Sequence, residues 1–186
     1  MNIHNFYGNQ RRFHRVLTVH PIDSSHESAY NKCKPERTDS PMKLNADIVY
    51  EGLKKKYPVT MSGPKSTQLT ISRPELYLDN EVAFYADHLY LATVDHLPVH
   101  PQLQKNAVIV VIGEGAKLFH YREQCCLIVI EKDADFFGVN RCICQLFDRY
   151  YAWEQKLFDI FLDTADLQQI VACSEPLFGC SICVLD

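Results

Sequence analysis

The chain lacks any apolar run near the roughly 18 residues that a membrane-spanning helix needs. Its opening, Met1-Asn2-Ile3-His4-Asn5-Phe6-Tyr7, lacks the apolar core of a secretory signal. A basic excess is missing too. The formal net charge is −4, and no lysine- or arginine-rich face stands out, so direct DNA binding by this chain is not expected. Internal repeats and low-complexity tracts are also absent. Neither a membrane-spanning helix nor a secretory signal is expected, and the expected location is the cytoplasm. With 47% hydrophobic and 23% charged residues, the 186-residue chain has an ordinary globular composition. That length supports one core comfortably, and a second only if it is small.

The chemical motifs are incomplete. Gly113-Glu114-Gly115 follows an apolar run, where phosphate-binding loops occur. Leu118 stands where the third glycine of a dinucleotide fingerprint belongs, and no Gly-Lys-Ser/Thr follows. A plain turn is expected. Asp87-His88, Asp95-His96 and His100 are metal-ligand types. On a strand, His88 and Asp95 face opposite sides, and His-x3-His chelates well only on a helix, so no metal site is expected. Cys180-Ser181-Ile182-Cys183 has redox or zinc-knuckle spacing, but a second Cys-x-x-Cys is missing and the pair falls in an apolar strand pattern. The eight cysteines mostly occupy apolar segments, as buried reduced thiols do. Nothing around any Cys or Ser matches a nucleophile elbow or protease signature. No catalytic residue, cofactor or enzymatic activity is expected.

Along the chain the character changes near Met42. Residues 1–41 carry a net charge of +2, hold four histidines and show no sustained periodicity. They are expected to form a poorly ordered extension with one short strand at Val16–Val19. Leu44, Ile48, Val49, Leu53 and Tyr57 then keep helical spacing until Pro58. Gln68–Ser72 and Glu75–Leu78 alternate like short strands. Asp87–Val94 is a further strand. The runs AVIVVI at 107–112 and CCLIVI at 125–130 are the pattern of strands buried on both faces. A short helix near Ala165–Cys173 and a last strand at Cys180–Leu185 complete the reading. The expected class is α/β: a small, mostly parallel sheet flanked by helices, with a long C-terminal amphipathic helix.

That helix carries the strongest periodicity. Phe136, Val139, Ile143, Leu146, Tyr150, Trp153, Leu157 and Ile160 step by three and four residues, which draws one stripe along it. Phe147, Tyr151, Phe158 and Phe161 form a second stripe. Two stripes are more than one neighbouring layer usually covers. The expectation is a homodimer seam through Ile143, Leu146, Tyr150, Trp153, Leu157 and Ile160, with Tyr150 and Trp153 as anchors. The rival reading packs the whole seam onto the chain's own sheet. Any effector pocket is expected beyond the carboxyl ends of the strands, around Asp95, His96, Gly113 and Glu114.

Several blocks in order resemble the N-terminal region of PucR-like bacterial transcription regulators. They are MKLNADIVYEGLKKKY, DHLYLATVDHLP, AVIVVIGEG, CCLIVIEKDADFFGVNRCICQLFDRYYAWEQKLFDIF and DLQQIVACSEPLFGCSICVLD. The most specific pieces are Phe-Asp-Arg-Tyr-x-Ala-Trp at 147–153 and Ser-Glu-Pro-Leu-Phe at 174–178. The resemblance implies a sensory or dimerising module at 42–135. A dimerisation element would follow at 136–173, and residues 174–186 would begin a GAF-like middle domain. It further implies a small-molecule effector of unspecified identity. In the family a C-terminal helix-turn-helix binds DNA. The match begins at Met42 and stops at Asp186 without that element, as expected of a fragment, a truncated reading frame or a stand-alone partner module. The alternative is a stand-alone small-molecule-binding α/β domain with no transcriptional role.

Overall fold

A computed structural model describes residues 2–4, 16–18, 42–77, 83–179 and 183–185. In chain order its elements are β1 (Asn2–His4), β2 (Val16–Thr18), α1 (Ala46–Lys54), β3 (Val59–Ser62), β4 (Glu75–Leu76), β5 (Ala83–Phe84) and β6 (Leu89–Thr93). There follow β7 (Gln102–Leu103), β8 (Val108–Ile112), α2 (Leu118–Gln124), β9 (Cys126–Ile130), α3 (Phe136–Asp163), α4 (Leu167–Phe178) and β10 (Cys183–Leu185). The chain divides into two units, one spanning 41–149 and the other joining the N-terminal strands to residues from Tyr150 onward. The division falls inside α3, not at its start. The expectation of poor order over 1–41 lies outside the described residues, apart from β1 and β2.

The larger unit is built on a five-stranded sheet of order β3-β9-β8-β6-β4. β4, β6, β8 and β9 run parallel, and β3 closes one edge antiparallel to β9. β5 and β7 pair separately in parallel. Every residue of β8 and β9 is buried, so these strands need cover on both sides. Alternation sorts their side chains into two sets. Ile109, Val111, Leu127 and Val129 share one cluster with Leu118 and Tyr121 of α2. Val108 and Cys126, of opposite parity, line a recess with Ala46 of α1. At about 10 Å³ it is sized for one water at most. The first half of α3 lies with α1: Leu146 Cδ2 stands 2.7 Å from where a Cβ on Gly52 would be. Thus α2 covers one face of the sheet, and α1 with α3 the other.

Local chemistry sets the helix ends. Asn45 caps α1 by accepting the Ile48 N–H at 3.0 Å. The helix begins later than the apolar spacing predicts, because Leu44 is taken up in an antiparallel bridge with Ile71. Gln68–Ser72 contributes that bridge and no strand. Asp135 starts α3, its carboxylate accepting the N–H groups of Phe137 and Gly138 at 3.3 and 2.8 Å. The face under α2 is finished by an aromatic group around β6. Phe84 is fully buried, stacked on Tyr77 at 4.8 Å and edge-on to Tyr90 and Tyr121 at 5.1 and 5.9 Å. This group was not anticipated, since β5 and β7 are two residues each and leave no periodic signal.

In the smaller unit, β2 lies between antiparallel β1 and parallel β10. α3 turns through Thr164–Asp166 into α4, whose N-cap Asp166 accepts the Gln168 N–H at 2.9 Å. The indole N–H of Trp153 donates to Ser174 Oγ at 3.0 Å, and Ser174 donates to the Ile170 carbonyl at 2.7 Å. The Trp153 ring meets Phe178 edge-on at 5.3 Å. The domain start expected at Ser174 therefore falls inside a helix. Pro176 sits in the last turn of that helix, where few backbone bonds remain to be lost.

Removing the Phe84 ring should leave a cavity under three aromatic neighbours. Phe84→Ala is expected to destabilise the larger unit by about 3–5 kcal/mol. Urea denaturation followed by far-ultraviolet circular dichroism checks it.

Candidate functional site

The carboxyl ends of β6, β8 and β9 lie side by side in register. The residues that follow each strand were the expected pocket. After β6, Val94 and Leu97 are buried, while Asp95 and His96 are exposed. His96 Nδ1 is hydrogen-bonded to Thr93 Oγ1 at 2.6 Å. Lys117 ties this turn down by donating to the carbonyls of Leu97 and Asp95 at 2.8 and 3.2 Å. Tyr121 donates to the Pro98 carbonyl at 2.7 Å. An ammonium and a phenol thus satisfy the backbone of the Asp95–Pro98 turn, and the Asp95 and His96 side chains are not drawn to a common point.

After β8, Gly113 is buried with φ at +101°, and its N–H donates to the Ile130 carbonyl at 2.9 Å. A Cβ there would stand 2.9 Å from Val94 Cγ1, and one on Gly115 would stand 3.2 Å from Val94 Cγ2. The Gly-Glu-Gly sequence is accounted for by the crossing of Val94 and by the left-handed backbone. Its geometry is that of a packed turn. Glu114 differs from the other three expected residues in lining a cleft.

That cleft is open and holds about 580 Å³. One wall is Lys54, Lys55, Lys56 and Tyr57, where α1 ends and the chain turns into β3. The other carries Glu114 and Glu131, which follow β8 and β9. Val59, Val129 and Ile130 also line it. Of the four residues anticipated from sequence, only Glu114 reaches this space. The lysines were missed because a Lys-Lys-Lys run closing an amphipathic helix reads as solvated surface. Nothing local to the sequence indicates that Glu131 stands opposite it.

No family model, curated protein or solved structure matches this chain. The site is therefore read from its own geometry. Among the described residues, no three His, Cys, Asp or Glu side chains come together as metal ligands. His88, one of the metal-ligand types in the sequence, has its Nδ1 2.6 Å from Glu75 Oε1. Cys125 and Cys126 are fully buried, and burial pushes their thiols up to about 12 and about 11. A thiol held protonated in this way is a poor nucleophile. The Cys180–Cys183 pair lies outside the described residues, as Cys180 does. No described helix is long and apolar enough to cross a membrane.

The expected seam residues are also placed. Ile143 and Leu146 are buried in the larger unit, and Leu146 packs against Gly52. They are covered by their own chain, which removes them from any interface with a second copy. Trp153 is engaged by α4, while Tyr150, Leu157 and Ile160 are half-buried. The second stripe is the more open one on the distal half of α3. Tyr151, Phe161 and Leu162 are 46%, 48% and 47% exposed.

Two measurements follow. Gly113→Ala meets both the positive φ and Val94, and is expected to cost about 1–3 kcal/mol of stability, whereas Glu114→Gln should leave the melting temperature nearly unchanged. Stability should also depend on alkaline pH. Cys125 and Cys126 ionise near 9 when unfolded but only near 12 and 11 in the folded chain. The unfolded state then binds fewer protons above pH 9, so stability should be level below that value and fall as pH rises above it. Urea midpoints across this range give the slope.

Proposed function

We propose that this chain is a non-enzymatic regulatory module of the PucR-like kind, working in the cytoplasm and pairing with a second copy through the outer stripe of α3. The observation that carries the proposal is the division of labour on that helix. Its inner stripe is occupied, through Leu146 against α1 and Trp153 against α4. Of its second stripe, Phe147 is buried while Tyr151 and Phe161 are about half exposed, and Leu162 beside Phe161 is equally open. Tyr151 and Leu162 are eleven residues apart, about three turns, so they fall on nearly the same side of the helix, with Phe161 beside them. Large apolar side chains left exposed together on one side of a helix favour cover by a partner. Two copies of the same strip can cover each other about a twofold axis. The PucR-like blocks at 147–153 and 174–178 fall on the two helices of this hairpin, which supports assigning the resemblance to a pairing element. DNA contact by this chain is no part of the proposal.

The second reading, a small-molecule-binding α/β domain with no transcriptional role, is favoured by the cleft beside β9. The two readings separate on assembly. Light scattering across a concentration series should show a dimer that dissociates on dilution. Phe161→Glu with Leu162→Glu should give a monomer with unchanged circular dichroism, because neither side chain is buried. A wild-type chain that stays monomeric at high concentration sinks the pairing proposal and leaves the binding domain.

A further inference from the structure

The connections that leave β8 and β9 diverge. β8 leads into α2, whose Leu118 and Tyr121 join the cluster on one face of the sheet. β9 leads into α3, which packs with α1 on the other. Where neighbouring parallel strands send their chains to opposite faces, a crevice opens beyond their carboxyl ends, and ligands of open α/β sheets bind there. Glu114 and Glu131, the residues beyond β8 and β9, line a cleft there together with residues 54–60 at the β3 edge of the sheet. Its volume of about 580 Å³ lies in the range of small-molecule sites.

The charges are sorted rather than mixed. Lys54, Lys55 and Lys56 come from one segment at the end of α1, and Glu114 and Glu131 come from the ends of the neighbouring strands β8 and β9. Lys54 already has a carboxylate neighbour, Glu51, at 3.9 Å, and lies 5.5 Å from the Tyr50 ring centre. Lys55 and Lys56 extend the basic wall beyond the last turn of the helix. A purely anionic ligand would meet the glutamates as like charges, and a purely cationic one would meet the lysines. A molecule carrying both charges satisfies both walls.

We infer that this cleft binds a small zwitterion of the α-amino-acid class, its carboxylate on Lys55 and Lys56 and its ammonium on Glu114 and Glu131. The inference draws on the regulatory reading only in supplying a site for an effector, and it stands or falls apart from the pairing of α3.

The test is a titration of the 15N-labelled 186-residue chain with glutamine, succinate and putrescine, followed by amide shifts. Glutamine at millimolar concentrations should move the amides of Lys56, Thr60, Glu114 and Glu131. Succinate and putrescine, each matching one wall, should bind at least about tenfold more weakly. Lys55→Ala with Lys56→Ala, and separately Glu131→Gln, should each weaken glutamine. His96→Ala, in the Lys117-tethered turn, should not. Shifts absent from the cleft, or succinate equal to glutamine, would overturn the assignment. Light scattering on the same samples shows whether pairing persists, so loss of the site and loss of the dimer are read separately.

Discussion

The requirement that β8 and β9 be covered on both faces organises the larger unit. Ten consecutive-in-space apolar positions, five on each strand, are removed from water. Each side chain buried in this way contributes about 1.5–3 kcal/mol. A single helical layer can satisfy only one face. The chain must therefore place α2 on one side and α1 with the first half of α3 on the other. The direction in which each connection leaves the sheet follows from that need.

Close packing explains the Gly-Glu-Gly turn. The chain leaving β8 passes close to Val94, so a side chain at 113 would collide with it and one at 115 would press on it. Lys117 and Tyr121 then hold the neighbouring turn by its carbonyls. The turns after β6 and β8 are fastened to each other, which leaves Glu114 at the boundary between a locked region and an open one.

Legibility from sequence followed the length and regularity of each signal. β8 and β9 were visible because burial on both faces writes an unbroken apolar run, and α3 because 28 residues repeat its spacing many times. α2 was missed: seven residues with two buried positions make less than two turns of pattern. β3 was missed because Val59–Ser62 sits on an edge where burial does not alternate cleanly. Both stripes of α3 were seen, but their roles depend on what packs where. Leu146 finds Gly52, and Trp153 finds Ser174, 21 residues on. Periodicity reveals that a stripe exists and says nothing of its partner. The cleft was the least legible feature. Lys54–Lys56 and Glu131 meet only through the order of strands in the sheet, and that order is a property of the whole chain.

Trp153 has an optical consequence. It is the chain's single tryptophan, and its indole N–H is bonded within the α3–α4 hairpin. Indole emission will therefore respond to the hairpin alone, while the doubly covered sheet, rich in tyrosine beside Phe84, will be silent in that channel and will show itself in ellipticity. Indole emission then reports the smaller unit alone, while ellipticity sums both units because α3 and α4 contribute to it. If the two signals fail to superimpose during unfolding, that indicates two cooperative blocks melting on their own schedules, and not a departure from order in either one.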